Sequence, residues 1–195
     1  MKKWELKIAR GYDPRSQSKV GLFAAQLDDQ LARLKKGIKG LTVRQLEWQP
    51  HPGMNTIGML LAHIALAEAW WIRVAPAEIE WEPRGKNIVR KICGFDDDGI
   101  PLPSKGKHPV NLKGLSADDY LKILAKVRRA GHTEMKKWKD KDLDKYYRLE
   151  GASATRVVTL YHVLEHFCSH FGQILMLKHL MCDKGVLKKQ DKKRK

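Results

Sequence analysis

The chain has 195 residues, of which 43% are hydrophobic, so it is long enough for one well-buried core and gives no reason to expect a second globular domain. Its three cysteines, Cys93, Cys168 and Cys182, form no Cys-x-x-Cys pair, which argues against a disulfide framework or a thiolate zinc cluster. The N-terminal stretch lacks the apolar run of a signal sequence, so we expect a cytoplasmic protein.

The formal net charge of +16 is large for this length and could serve nucleic acid or another polyanion. Much of it lies in residues 184–195, and the other lysine-rich stretches are interleaved with acidic residues. Lysine runs without aromatic residues between them are typical of a solvated surface or a disordered end. We therefore predict a globular domain at 1–183 and a basic tail at 184–195, with nucleic-acid binding as an alternative function.

Four segments carry the apolar spacing of a helix, and no segment shows the convincing alternation of a strand. Asn55 or Thr56 can cap the second segment, and Pro76 ends it. The third opens with a sequence typical of a capping box, Ser116 to Asp119. In chain order, the four predicted helices lie at about 16–38, 56–75, 116–138 and 153–185.

A long segment, 76–115, separates the second and third predicted helices and is rich in proline, glycine and aspartate. A connection of this length in a compact domain is typical of a crossover, a lid or a binding loop. The stretch 56–75 is long enough to span a membrane, but it carries His63, Glu68 and Arg73, which a bilayer would penalise. We therefore predict a buried helix and no membrane association.

Histidines are concentrated on two of the predicted helices. His63 lies in the second helix, and His162, His166 and His170 follow one another at four-residue spacing in the fourth. Residues four apart lie one turn apart on the same helix face, so two imidazoles of one helix can bind an ion together with one from a facing helix. In the alternative interpretation these histidines hold no ion, and each needs a polar partner in the core.

A known zinc-binding motif overlaps the spaced histidines of the fourth predicted helix. His162-Val-Leu-Glu-His166 matches the H-x-x-E-H motif of inverted zinc peptidases, in which the glutamate activates water. Those enzymes need a further carboxylate ligand downstream, where this chain offers only Asp183 and Asp191, and short motifs recur by chance. On a helix Glu165 points about 100° away from His166, so a salt bridge or the orientation of an imidazole is its expected role.

Two segments, GMNTIGMLLAHIALAEAWW and TLYHVLEHFCSHFGQILMLKHL, resemble the signature regions of the DinB/YfiT-like superfamily. The Leu-Thr turn after the first helix, the Pro-Gly-x-Asn sequence before the second and the long crossover extend the resemblance over most of the chain. The resemblance implies an all-α four-helix bundle in up-down-down-up order, with the crossover between helices 2 and 3. It also implies a divalent metal ion, zinc or nickel, held by His63, His166 and His170.

By the same resemblance His162 lies one turn too early to be a ligand, and we expect it, with Glu165, behind the ligands or in the pocket wall. Characterised members of the family mostly transfer groups to or from low-molecular-weight thiols, and many have no established activity. We therefore expect a metal-dependent transferase or hydrolase that uses a low-molecular-weight thiol and acts on a small-molecule substrate. A homodimer is compatible with this function. The alternatives are a family member without turnover and a non-enzymatic protein whose basic surface and tail bind nucleic acid.

Overall fold

A computed structural model describes residues 6–188 of the chain. This part is mostly helical and also contains a two-stranded antiparallel hairpin formed by β1 (Tyr146–Leu149) and β2 (Ala152–Thr155). The helices are α1 (Ser18–Ile38), α2 (Val43–Leu46), α3 (Ile57–Arg73), α4 (Lys86–Cys93), α5 (Ala117–Met135) and α6 (Arg156–Asp183). The four long helices correspond to the four predicted segments, whereas α2, α4 and the hairpin were not predicted.

The four long helices enclose the apolar core. Helix α3 contacts both α5 and α6, and α1 contacts the same two helices. Most residues of α3 are buried, because apolar side chains occur all round this helix and not on one face only. The segment Ile57–Ala77 is long and apolar enough to cross a membrane, but most of it is buried inside the protein, which is consistent with a soluble protein.

Side-chain caps fix the starts of α3 and α5 where the sequence predicted them. The Thr56 hydroxyl accepts a hydrogen bond from the backbone N–H of Met59 at 3.0 Å. Ser116 and Asp119 form a reciprocal capping box at the start of α5. Both arrangements satisfy backbone donors that the first turn of a helix leaves without an intrahelical partner. The start of α3, which carries one of the candidate ligands, is therefore defined by Thr56.

Helix α1 is capped from a distant part of the chain. The carboxylate of Asp140, in the connection between α5 and β1, accepts hydrogen bonds from the Ser18 hydroxyl and from the backbone N–H groups of Lys19 and Val20. Burial raises the pKa of Asp140, but these hydrogen bonds more than offset it, so the pKa lies below its ordinary value. A carboxylate at a helix N-terminus also interacts favourably with the helix dipole, so Asp140 ties this connection to α1.

The hairpin corrects the expectation of an all-α fold. In its register Tyr147 lies opposite Ala154 and Arg148 lies opposite Ser153. Ser153 therefore belongs to β2 and not to the fourth long helix, which begins at Arg156. Each strand has only four residues, which is too short for an apolar alternation to stand out in the sequence.

The crossover between α3 and α5 is largely packed against the core. Helix α4 buries Val89 and Cys93 and contacts both α3 and α5. After α4 the chain passes back over α3, with Phe95, Asp98 and Leu112 buried. The crossover thereby carries a carboxylate to the face of α3 that bears His63.

The last part of the chain is described only in part. Of the predicted basic tail, 184–195, residues 189–195 lie outside the described residues. Val186 and Leu187, which follow α6, pack against the core. The domain boundary at 183 and a role for the tail stay predictions.

Candidate metal centre

Three imidazoles meet between α3 and α6. His63 projects from α3, and His166 and His170 project from successive turns of α6. The Nε2 atom of His166 lies 3.0 Å from Nε2 of His63 and 3.1 Å from Nε2 of His170. One ring nitrogen from each residue lies within 4.8 Å of the other two. The fold thus brings together the three histidines that the motif resemblance singled out.

Two of these imidazoles are held by an acceptor behind the ring. The Nδ1 atom of His63 lies 2.9 Å from Oδ2 of Asp98, and Nδ1 of His170 lies 2.9 Å from Oε1 of Gln173. A carboxylate oxygen and an amide oxygen can only accept, so we assign the proton to Nδ1 in both rings. The Nε2 atoms of His63 and His170 then carry lone pairs, and both face Nε2 of His166.

The three Nε2 atoms are arranged as ligands of a cation would be. The Nε2 atom of His166 can donate a proton to one of the two lone pairs that face it, but the other lone pair is then left without a full partner. A divalent ion would accept a lone pair from each ring. With metal–nitrogen bonds of about 2.1 Å, ligand nitrogens lie ~3.0 Å apart at 90° and ~3.4 Å apart at the tetrahedral angle. The separations of 3.0 and 3.1 Å from His166 agree with that range.

Burial favours the neutral form of His166 and His170, the two cluster residues of α6. Burial, with smaller contributions from the facing imidazoles, lowers the pKa of His166 to about 3. Burial also lowers the pKa of His170, although the hydrogen bond to Gln173 acts in the opposite direction. The neutral imidazole is the form that binds a metal ion. At neutral pH, therefore, no additional proton competes with a metal for these two side chains.

His162 lies beside the cluster but is not part of it. Its ring centroid is 5.5 Å from that of His166, and its Nδ1 lies 3.0 Å from Oε1 of Glu165. The ring of Trp71 packs against His162, with 4.6 Å between centroids. The inverted-peptidase interpretation requires His162 and His166 to bind one ion, whereas here His162 pairs with Glu165.

Sequence reasoning missed Asp98 and gave no role to Gln173. The carboxylate of Asp98 comes from the crossover and reaches His63 across a sequence separation of 35 residues. Its one signal in the sequence is the run of three aspartates, 96–98, inside the long crossover. Gln173 lies in the second of the two segments that resemble the DinB/YfiT-like signature, and the structure shows that it contacts His170.

A match to a known family covers the residues of the cluster. The model of the DinB superfamily matches residues 26–174, a range that contains all three histidines of the cluster. The chain belongs to the DinB superfamily. Membership agrees with the motif resemblance. No curated protein matches this DinB protein.

Two solved structures share the fold. A DinB-like protein from Bacillus cereus ATCC 10987 has a TM-score of 0.53 and 22% sequence identity, over 84% of this chain and 91% of that protein. A conserved protein from Enterococcus faecalis has a TM-score of 0.59 and 18% identity, over 83% of this chain and 96% of that protein. At these identities the likeness shows the fold of this DinB protein and leaves its activity to be argued from the site.

Proposed function

We propose that this DinB protein is a metal-dependent enzyme in which His63, His166 and His170 bind one divalent cation. The observation that carries the proposal is the convergence of their Nε2 atoms: that of His166 lies 3.0 Å from that of His63 and 3.1 Å from that of His170. Hydrogen bonds at Nδ1 orient the rings of His63 and His170. Neutral imidazoles are good ligands for zinc and nickel, which are the two ions that we propose.

The three histidines are partly exposed. The side chain of His63 is 27% exposed, and neither His166 nor His170 is fully buried. A bound divalent cation supplies Lewis acidity, which lowers the pKa of a thiol or water and polarises an electrophile. We propose that the reaction is group transfer to or from a low-molecular-weight thiol, or hydrolysis of a small electrophilic substrate.

The pair formed by His162 and Glu165 is suited to accept a proton beside the centre. Nδ1 of His162 lies 3.0 Å from Oε1 of Glu165, and the His162 ring lies next to that of His166. Histidine is the side chain that most often acts as a general base in enzymes. In this proposal His162 takes up the proton of the thiol or water, and Trp71 supports the ring by packing against it.

The packing of the long helices supports a finer description of the fold. Because α1 and α3 each contact both α5 and α6, we propose a four-helix bundle, and the long crossover from α3 to α5 fits the up-down-down-up order. The three cysteines form no disulfide, which supports a reducing, cytoplasmic environment.

Metal content tests the proposal directly. We expect His63→Ala, His166→Ala and His170→Ala each to abolish stoichiometric metal in protein purified without chelator, because two imidazoles hold an ion much less tightly than three. His179→Ala is the matched control, since His179 is an exposed histidine of the same helix, α6, and is not part of the cluster. It should keep the metal content of the wild type. Full occupancy in all three cluster variants would show that the assignment is wrong.

A further inference from the structure

We infer that Asp98 is a positioning residue of the metal centre, because it sets the tautomer of His63 and so presents Nε2 of that ring to the other two ligands. The inference rests on the proposed function. It adds a specific dependence of the centre on the crossover between α3 and α5, which supplies Asp98.

Both oxygens of Asp98 are engaged, in two different directions. Oδ2 accepts the hydrogen bond from Nδ1 of His63 at 2.9 Å, and Oδ1 accepts the backbone N–H of Ile100 at 2.9 Å. The side chain is 11% exposed, so little water competes for either oxygen. A carboxylate behind a metal-binding imidazole fixes which nitrogen carries the proton and makes the other nitrogen a stronger donor to the metal.

The backbone around Asp98 is itself held in place. The carbonyl oxygen of Asp97 accepts a hydrogen bond from the Asn111 side chain at 2.7 Å, and the carboxylate of Asp97 accepts the N–H of Gly99 at 2.8 Å. Gly99 has a φ of +74°, and a Cβ at this position would collide with the ring of Pro109. The turn therefore requires glycine, and it fixes the direction in which the Asp98 side chain points.

The second oriented ligand shows why Asp98 is distinctive. His170 is held by Gln173, a neutral amide three residues further along the same helix. His63 is held instead by a carboxylate from another part of the chain, which brings charge as well as orientation. Loss of this carboxylate should therefore affect both the tautomer of His63 and the affinity for metal.

Asp98→Asn separates positioning from a merely structural role, because the substitution hardly changes the shape of the side chain. The amide oxygen can stay on the N–H of Ile100, and the NH₂ group then faces Nδ1 of His63. An NH₂ group donates, so Nδ1 must accept and the imidazole proton moves to Nε2. In metal-free protein, ¹⁵N NMR should show His63 protonated at Nδ1 in the wild type and at Nε2 in Asp98→Asn. We expect zinc to bind about 10- to 100-fold more weakly to the variant.

Two further variants complete the test. Asp97→Asn is the matched control: it makes the same change one residue earlier, at a carboxylate that contacts Gly99 and no histidine, and it should leave tautomer and affinity unchanged. Asp98→Ala removes the acceptor without adding a donor, so its loss of zinc affinity should be smaller than that of Asp98→Asn. If Asp98→Asn does not fold, Asp98→Ala still decides, because the inference requires weaker zinc binding and loss of the fixed Nδ1 tautomer there too.

Failure of the inference and failure of the proposed function look different. A wild-type tautomer together with wild-type zinc affinity in the Asp98 variants would overturn the inference while leaving the three-histidine centre intact. A wild type that holds His63 in the Nδ1-protonated form but binds no divalent metal would instead overturn the proposed function.

Discussion

A buried ion pair joins the long helices that carry the histidine cluster to their neighbours, and Arg128→Met tests its contribution to stability. Arg128, on α5, donates from Nε and Nη2 to the two carboxylate oxygens of Glu68 on α3, at 2.7 and 2.9 Å. Its Nη1 reaches Asp28 on α1 at 3.2 Å. The guanidinium also lies over the ring of Phe167, which adjoins His166 in the sequence of α6. From its position on α5, this one side chain thus contacts the three other long helices.

The cost of the substitution follows from burial. The side chains of Arg128 and Glu68 are 5% and 2% exposed, so Arg128→Met leaves the Glu68 carboxylate buried without its cation. Removing one partner of such a pair costs about 3–5 kcal/mol, because the remaining charge cannot regain its hydration. In a domain of this size each 1 kcal/mol lowers Tm by about 2–4 °C, so we expect a decrease of roughly 6–20 °C.

The double variant Glu68→Leu/Arg128→Met provides the control. It removes both charges and should recover most of the lost stability, because apolar residues of similar volume can replace a buried ion pair at little cost. Asp28 also has His132 as a partner, at 3.0 Å, and we expect it to keep that partner in the variants. Urea unfolding of metal-free protein, followed by circular dichroism, measures the free energies. The reasoning is refuted if Arg128→Met costs less than about 1 kcal/mol, or if the double variant is no more stable than the single one.

Three further predictions concern the centre and its alternatives. The pKa of His166 is about 3 in the folded chain, against an ordinary value of 6.5, so between these pH values only the unfolded state takes up the proton. As the pH falls from 6.5 to 3, metal-free wild type should therefore lose stability relative to His166→Gln. Above pH 6.5 the difference in stability between the two proteins should stay constant. A pH series of urea midpoints measures this, and parallel curves would contradict it. His162→Gln should keep its metal, whereas the inverted-peptidase interpretation predicts loss. Removing residues 189–195 should leave the metal content unchanged. The non-enzymatic alternative would be favoured if the wild type bound nucleic acid, if this binding weakened steeply with salt, and if the truncation abolished it.

The long helices and the row of histidines at 162, 166 and 170 could be predicted, because each is indicated by residues close together in the sequence. Apolar residues at helical spacing and a capping hydroxyl such as Thr56 act within a turn or two of their own position. Spacing alone could not choose among the histidines of α6, since His162 and His166 are as far apart as His166 and His170. The motif resemblance favoured the second pair. In the structure it is the position of His63 on α3 that brings this pair, and not His162, into the cluster.

The residues that were missed depend on the path of the chain. Asp98 reaches His63, and Asp140 reaches the start of α1, only after distant segments have packed, and neither approach leaves a periodic pattern. Helix α4 has an apolar stripe that includes Val89 and Cys93, but it is short and lies in a segment otherwise rich in proline, glycine and aspartate. In the hairpin only Ala152–Thr155 alternates apolar and polar residues, and four residues are too few for this pattern to distinguish a strand from a loop. The connection between α5 and β1 is held by tertiary contacts such as that of Asp140 with α1.

The central claim is that a single divalent ion binds to all three histidines at once. Anomalous diffraction at the zinc absorption edge, from crystals of protein loaded with one equivalent of zinc, tests it most directly. The account predicts one strong peak between α3 and α6, about 2.0–2.1 Å from Nε2 of His63, His166 and His170. A zinc peak bound elsewhere on the chain, or a peak that leaves out any one of these three nitrogens, would contradict it.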